Sequence, residues 1–99
     1  MISEDKIAEI RDRAPIAEVI GNYVALKKSG NSLKGLCPFH NEKTPSFYVH
    51  PNRGFYHCFG CKASGDVFSF LMQVEGKTFP EVARDLAEQT GVLLAVYDP

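Results

Sequence analysis

The sequence predicts an α+β fold in which helices at both ends of the chain flank a central antiparallel sheet. Three observations lead to this class. Apolar residues recur at helical spacing before residue 22 and after residue 65. Two segments between these regions alternate apolar and polar residues around turn signals, as paired strands do. Two short cysteine and histidine pairs also lie next to these segments, where a sheet would bring them together.

The composition is that of one globular domain of 99 residues, with 44% hydrophobic and 23% charged residues. We divide it into N-terminal helices (1–21), a ribbon sheet (22–62) and C-terminal helices (66–91). A core of this size supplies only roughly 3–5 kcal/mol of stability, which favours an additional staple.

The cysteines indicate which staple to expect. There are three, so they cannot all pair within the chain, and the charged start of the sequence does not look like a secretory signal. No run approaches the ~20 consecutive apolar residues of a membrane span. We therefore expect a cytoplasmic protein with reduced thiols, no membrane contact, and a metal rather than a disulfide.

The N-terminal helices are predicted from spacing and end signals. Residues 3–14 carry apolar side chains on one helical face, and Ser3 can cap their first turn. Pro15 then begins a shorter helix that Gly21 can end.

Two hairpins are predicted for the sheet. The expected strands are residues 23–26, 32–36, 46–50 and 55–58. Gly30 and Asn31 form the turn of the first hairpin, and residues 51–54 (PNRG) form the turn of the second.

The C-terminal helices have stronger end signals. Residues 66–76 run from a possible aspartate cap to a glycine stop. Thr78 and Glu81 form a capping box for a second helix, which Gly91 ends. The residues after 94 are expected to be a frayed end or the start of a linker.

The strongest motif consists of two short pairs of potential metal ligands. Cys37 and His40 form C-x2-H, and after seventeen residues Cys58 and Cys61 form C-x2-C. This spacing is typical of structural zinc sites, because a two-residue gap lets both ligands point from one tight turn into the same sphere. Three thiolates and one imidazole would leave no open position, so we expect one structural Zn²⁺ and a zinc ribbon. Gly60 is expected to take the positive φ of the second turn.

The fourth ligand has three candidates, His40, His50 and His57. His40 has the ligand spacing, whereas His50 has no partner two residues away. His57 should leave its strand on the face opposite the adjacent cysteine. A redox pair of Cys58 and Cys61 is the alternative to a zinc site, but it leaves the first pair unexplained.

Basic residues are concentrated in the predicted sheet, although the net charge of the chain is −1. Residues 27–62 hold six bases and one acid, Glu42, whereas the flanks hold five bases and eleven acids. Zinc with three thiolates lowers the charge of this segment only from +5 to +4. A basic sheet beside acidic helices suits a partner that carries phosphates.

The register of the second hairpin predicts two distinct faces. The face toward metal and core carries Phe47, Val49, Tyr56 and Cys58. The other face carries Tyr48, His50, Phe55 and His57. Aromatic rings among lysine and arginine side chains suit single-stranded nucleic acid. Each nucleobase stacks on a ring with ~1–3 kcal/mol, while lysine and arginine contact the phosphates. The candidate residues for binding single-stranded nucleic acid are Lys34, Lys43, Tyr48, Arg53, Phe55 and His57.

These candidates have structural alternatives. A helix could cover Tyr48 and Phe55 as part of the core. His57 could instead make a hydrogen bond near the metal site. Lys27, Lys28 and Lys77 are interpreted as solvated charges rather than contacts.

Several segments together resemble the N-terminal zinc-binding domain of bacterial replicative DNA primases. They are residues 35–47 (GLCPFHNEKTPSF), 57–61 (HCFGC), 65–68 (GDVF), 16–20 (IAEVI) and 79–83 (FPEVA). The resemblance covers nearly the whole chain, and it places the four metal ligands on the two spaced pairs without a departure.

The resemblance implies a function. Such primases make short RNA primers on single-stranded DNA, and their zinc domain helps choose the initiation trinucleotide. Catalysis belongs to a following polymerase domain that binds Mg²⁺ through carboxylates, and a helicase-binding domain comes after it. The DNA-contacting residues that the resemblance implies are Lys43, Arg53, Phe55, His57 and Lys62.

By this resemblance we expect the template-recognition domain of a longer bacterial primase at the replication fork. It would be inactive alone and would act with a polymerase domain in cis or in trans, while other parts of the protein contact the replicative helicase. The alternative is a stand-alone zinc ribbon that mediates protein interactions in transcription or replication.

Overall fold

The computed structural model describes residues 3–41 and 43–92 of the chain. Its elements are α1 (Glu4–Arg13), α2 (Ile16–Gly21), β1 (Lys27–Ser29), β2 (Ser32–Gly35), β3 (Phe47–His50), β4 (Phe55–Cys58), β5 (Ser64–Gly65), α3 (Val67–Glu75) and α4 (Phe79–Thr90). The predicted α+β class is confirmed, and the prediction for residues after 94 lies outside the described part. No helix within the described ranges has the length and apolar character needed to cross a membrane.

The strands form one antiparallel sheet in the order β1-β2-β3-β4-β5. The second hairpin has the predicted register, with Tyr48 opposite His57 and His50 opposite Phe55. Its turn is closed by the Gly54 N–H, which donates to the His50 carbonyl at 2.8 Å. The two faces of β3 and β4 are therefore those that the sequence predicts.

The first hairpin differs from its prediction. A strand over residues 23–26 is wrong, because the N–H groups of Tyr23 and Val24 both donate to the Ile20 carbonyl at 2.9 Å. These bonds continue the end of α2 and leave the segment unable to start a strand ladder. β1 begins at Lys27 instead.

β5 is a strand that the sequence analysis did not predict. It has only two residues, too few to show a period, and it pairs with β4 so that Gly65 lies opposite Tyr56. A Cβ at Gly65 would lie 2.6 Å from the Cβ of Ser69. Glycine therefore allows α3 to begin directly against the edge of the sheet.

One core lies between the inner face of the sheet and the helices. The inner strand residues with no exposed surface are Phe47, Val49, Tyr56 and Cys58. The rings of Phe47 and Tyr56 stack with their centroids 5.3 Å apart, and Phe70 of α3 packs edge-on against Tyr56 at 5.6 Å. The predicted inner face is thus confirmed.

The predicted ends of α3 and α4 are also confirmed. Asp66 Oδ1 accepts from the Ser69 N–H at 3.0 Å. Thr78 and Glu81 form a reciprocal capping box, in which each side chain accepts from the other residue's backbone N–H. The glycines after α3 and α4 end the helices in the left-handed conformation, with φ of 67° and 78°.

A close approach of two backbones determines how β2 leads into the first cysteine. A Cβ at Gly35 would lie 2.6 Å from the carbonyl oxygen of Ala25 and 2.9 Å from Val24 Cγ1. A backbone oxygen cannot rotate out of the way, so glycine alone fits here. This contact positions the chain two residues before Cys37.

We expect Gly35→Ala to lower the free energy of unfolding by about 1–3 kcal/mol, because the added methyl group must displace the 24–26 backbone. Thermal unfolding followed by circular dichroism measures the change. The control is Gly21→Ala in α2, where a Cβ would meet nothing within 4 Å, and which should be neutral or stabilising by up to about 1 kcal/mol. Equal melting temperatures for the two variants would contradict the expectation.

Candidate metal centre and the open face of the sheet

Two pairs of metal-binding side chains meet at one end of the sheet. Cys37 follows β2 and His40 lies in the turn after it, while Cys58 ends β4 and Cys61 lies in the next turn. Their donor atoms, one from each residue, all lie within 4.8 Å of one another. The structure therefore brings together all four residues that the spacing selected.

The donor spacing fits one zinc ion. Zn–S bonds of about 2.3 Å at the tetrahedral angle place two sulfurs about 3.8 Å apart. Cys37 Sγ and Cys61 Sγ are 3.7 Å apart. Three sulfurs and one imidazole nitrogen are the donor set of a closed zinc site, which has no position left for a substrate. These residues could hold one Zn²⁺ that acts structurally.

The other two histidines lie on the far side of the sheet. Ser32 Oγ and His50 Nδ1 are 2.8 Å apart. His57 packs against Phe59, with ring centroids 4.7 Å apart. Within the described residues, His40 is the histidine that joins the donor cluster, as its spacing predicts.

Backbone hydrogen bonds hold the second turn of the centre. The Lys62 N–H donates to the Cys58 carbonyl at 2.9 Å, and the Cys58 N–H donates to the Ala63 carbonyl at 2.8 Å. The left-handed residue of this turn is Lys62, with φ of 68°, and not Gly60 as predicted. This conformation costs a residue with a Cβ roughly 1–2 kcal/mol. The closure of the turn, and not residue preference, therefore fixes the backbone of Lys62.

The thiols of the centre differ in their environments. Burial raises the pKa of the Cys37 thiol to about 12. A hydrogen bond to the backbone of Ala63 lowers the pKa of the exposed Cys61 thiol. Because a coordinated thiol is deprotonated outright, a metal must displace protons here, and its affinity falls as the pH is lowered.

The side of the sheet opposite the core carries the rings of the predicted DNA-binding surface. We call it the open face and define it by Lys34, Tyr48, His50, Phe55, His57 and Phe59. Tyr48 and Phe55 are half-buried and are not part of the core that the helices cover. Among the described residues, no helix buries these two rings in the core.

Neighbouring rings on the open face contact each other. His50 and Phe55 have ring centroids 4.5 Å apart with planes tilted by 34°. Lys34 lies opposite Tyr48 across the β2–β3 ladder, so its side chain leaves the sheet on the same face.

The other predicted bases lie at the two ends of the open face. Arg53 is exposed in the turn next to Phe55, away from the metal centre. Lys43 and Lys62 are exposed in the loops beside the metal centre. The structure thus brings the rings and Lys34 together in the sheet and places the remaining bases around it.

Phe59 is a residue of this surface that the sequence analysis missed. Its side chain is 60% exposed, and its ring centroid lies 5.4 Å from that of Tyr48 and 4.7 Å from that of His57. The Phe59 N–H donates to the Ser46 carbonyl at 2.9 Å and so continues the pairing of β3 and β4. Extending the alternation one residue beyond Cys58 would have found it.

The fold and the donor cluster define a small zinc-ribbon domain. The family model described as CHC2 zinc finger matches residues 2–98 of the chain. The chain therefore belongs to the CHC2 zinc finger family.

Its relatives are DNA primases. It is 50% identical over 97 residues to the DNA primase of Thermotoga maritima and 53% identical over 97 residues to that of Geobacillus stearothermophilus. Each match covers 98% of this chain but only 17% and 16% of the respective relative.

A solved structure agrees. The crystal structure of the Aquifex aeolicus primase, which contains zinc binding and RNA polymerase domains, matches with a TM-score of 0.84 and 37% identity. The match covers 93% of this chain and 22% of that chain. The resemblance to the zinc-binding domain of DNA primases is thus confirmed.

We expect Cys58→Ser to abolish stoichiometric zinc binding and to unfold or severely loosen the domain. Structural zinc supplies on the order of 10–16 kcal/mol of apparent binding free energy in small domains, far more than a core of this size. Elemental analysis and thermal unfolding measure the two effects.

The control for this variant is the unchanged chain treated with a chelator. Its melting curve should fall to that of Cys58→Ser, and the variant should not respond to the chelator. A variant that keeps the metal or the original melting curve would exclude Cys58 as a ligand.

Proposed function

We propose that this domain holds one structural Zn²⁺ on Cys37, His40, Cys58 and Cys61 and binds single-stranded DNA on its open face. In a primase it would recognise the template and help select the site where primer synthesis begins. The observation that carries the proposal is the row of aromatic rings and basic side chains on the open face, next to the metal centre.

The role of zinc in this proposal is structural. Three thiolates and one imidazole would fill the four positions of a tetrahedral zinc ion, so none would remain for a water or a nucleotide. When bound, the ion would fix the turns after β2 and β4 and thereby the ends of the strands that carry the rings. Primer synthesis and the Mg²⁺ that it requires would belong to parts of a longer primase that this chain does not match.

The rings support a single strand as the ligand. In a duplex the faces of the bases are stacked on each other, whereas a single strand can offer them to aromatic side chains. The contact between His50 and Phe55 limits the freedom of both rings before any ligand arrives. A base that stacks on Phe55 would therefore meet a surface that is already ordered.

The charge distribution supports binding through the sheet rather than through the helices. Four of the five basic residues outside segment 27–62 form ion pairs with acidic residues, as in the Arg13–Glu9 pair at 3.4 Å and the Lys77–Asp85 pair at 2.6 Å. The segment 27–62 instead holds six bases and a single acid. Phosphates would meet Lys34 and its neighbours, with the acidic helices turned away.

The proposed partners follow from this orientation. The open face would hold the template strand, and a polymerase domain of the same or a neighbouring chain would extend the primer on it. The replicative helicase would be contacted through other parts of such a primase.

We expect Phe55→Ala to weaken binding of a short single-stranded oligonucleotide by ~1–3 kcal/mol, because one stacking surface is lost. Fluorescence anisotropy with a labelled oligonucleotide measures the affinity, and zinc content should stay stoichiometric. Tyr23→Ala is the matched control, since Tyr23 is also an exposed aromatic residue but lies between α2 and β1, beside Phe70 of α3. Equal affinities for Phe55→Ala and the unchanged protein would remove Phe55 from the binding surface.

We expect Arg53→Ala to reduce the slope of log K against log salt concentration by about 0.7, the value for one phosphate contact with a single strand. Arg84→Ala, which removes an exposed base from α4, should leave the slope unchanged. Binding that does not depend on salt in any variant would favour the protein-interaction alternative. A slope that Arg53→Ala leaves unaltered would show that Arg53 does not contact phosphate.

A further inference from the structure

We propose that Phe59 is the surface on which a DNA base stacks at the metal end of the open face, with Tyr48 and His57 supporting its ring. This inference rests on the proposed function and adds a residue that neither the spacing nor the resemblance assigned. It makes the residue between two metal ligands part of the DNA-binding surface.

The exposure of Phe59 is the first observation. Large apolar side chains with substantial exposure in the described residues are Phe59 at 60%, Leu36 at 48% and Tyr23 at 43%. Tyr23 has a hydroxyl that donates to Glu75, whereas phenylalanine has no polar atom to solvate. An exposed aromatic ring beside lysine and arginine side chains has the properties of a surface on which a nucleobase stacks.

The second observation is that the ring is held in place. The Phe59 N–H is bonded to the Ser46 carbonyl at 2.9 Å, which fixes its backbone to the end of β3. Its ring contacts those of Tyr48 and His57 at interplanar angles of 79° and 74°. These contacts restrict its rotation, so a base that stacks on it loses little further side-chain entropy. Tyr48 and His57 are thus positioning residues for Phe59.

The spacing of Phe55 and Phe59 fits two separate bases of one strand. Phe59 follows Phe55 by four residues along the extended chain of β4. Four residues of a strand span roughly 13 Å, about four times the 3.4 Å rise of one nucleotide in a DNA strand. Nucleobases stacked on Phe59 and Phe55 therefore leave room for about three nucleotides between them, which gives a footprint of roughly five nucleotides.

The charges near Phe59 indicate nucleic acid rather than a protein as the occupant. Lys62 follows it by three residues in the same turn, and Lys34 lies opposite Tyr48 on the same face. Segment 27–62 carries six bases and a single acid, Glu42. A phosphate on either side of the stacked nucleobase would meet a lysine. An apolar protein surface would gain nothing from this surplus of basic side chains.

The test compares Phe59→Ala, Phe59→Leu and Phe59→Trp in the zinc-loaded chain. The probe is a short oligodeoxythymidylate that carries 2-aminopurine at one position, moved along the strand. We expect alanine and leucine to weaken binding roughly 5- to 100-fold and to lose the position-specific quenching of 2-aminopurine. Tryptophan should keep both, and zinc content and melting temperature should not change.

Two results would overturn the inference. Wild-type affinity in Phe59→Ala would show that no base stacks there, and wild-type affinity in Phe59→Leu would show that apolar bulk suffices, as in docking to a protein. In both cases the unchanged chain still binds DNA, so the proposed function stands. Failure of the unchanged chain to bind the oligonucleotide would overturn both.

Discussion

The convergence of two turns on one small volume is the constraint on which the rest of the structure depends. Cys37 follows β2 and Cys58 ends β4, on either side of β3 in the sheet. Four donors can lie within 4.8 Å of one another only if these three strands have one particular register. A core this small could not impose that register with much margin by itself, and the donors of a zinc site impose it directly.

The end of β4 connects the metal centre to the opposite side of the sheet. Cys58 points inward and has no exposed surface, while Phe59, the next residue, is mostly exposed. Successive side chains of an extended strand alternate between faces, so a slip of one residue would exchange the two. The same backbone hydrogen bonds therefore fix the direction of the Cys58 side chain toward the metal centre and of the Phe59 ring toward solvent.

The sequence predicted those parts of the fold in which two independent signals agree. The second hairpin has a turn at residues 51–54 and a matching alternation of burial, and its register is correct to the residue. The strand over residues 23–26 was wrong because local preference competes there with hydrogen bonds that finish α2 and with the close approach at Gly35. The conformation of Lys62 could not be predicted, since it follows from closing the turn and no residue preference signals it.

The separation of charge between helices and sheet affects how the domain moves before it touches anything. A domain with acidic residues on its helices and basic residues on its sheet has a permanent electric dipole. Near any polyanion it experiences a torque that turns the sheet forward. Random orientation normally holds protein association far below the diffusion limit, and rotation of this kind shortens that search. A domain that first meets the polyanion with its helices can thus rotate until the sheet makes contact, without dissociating and binding again.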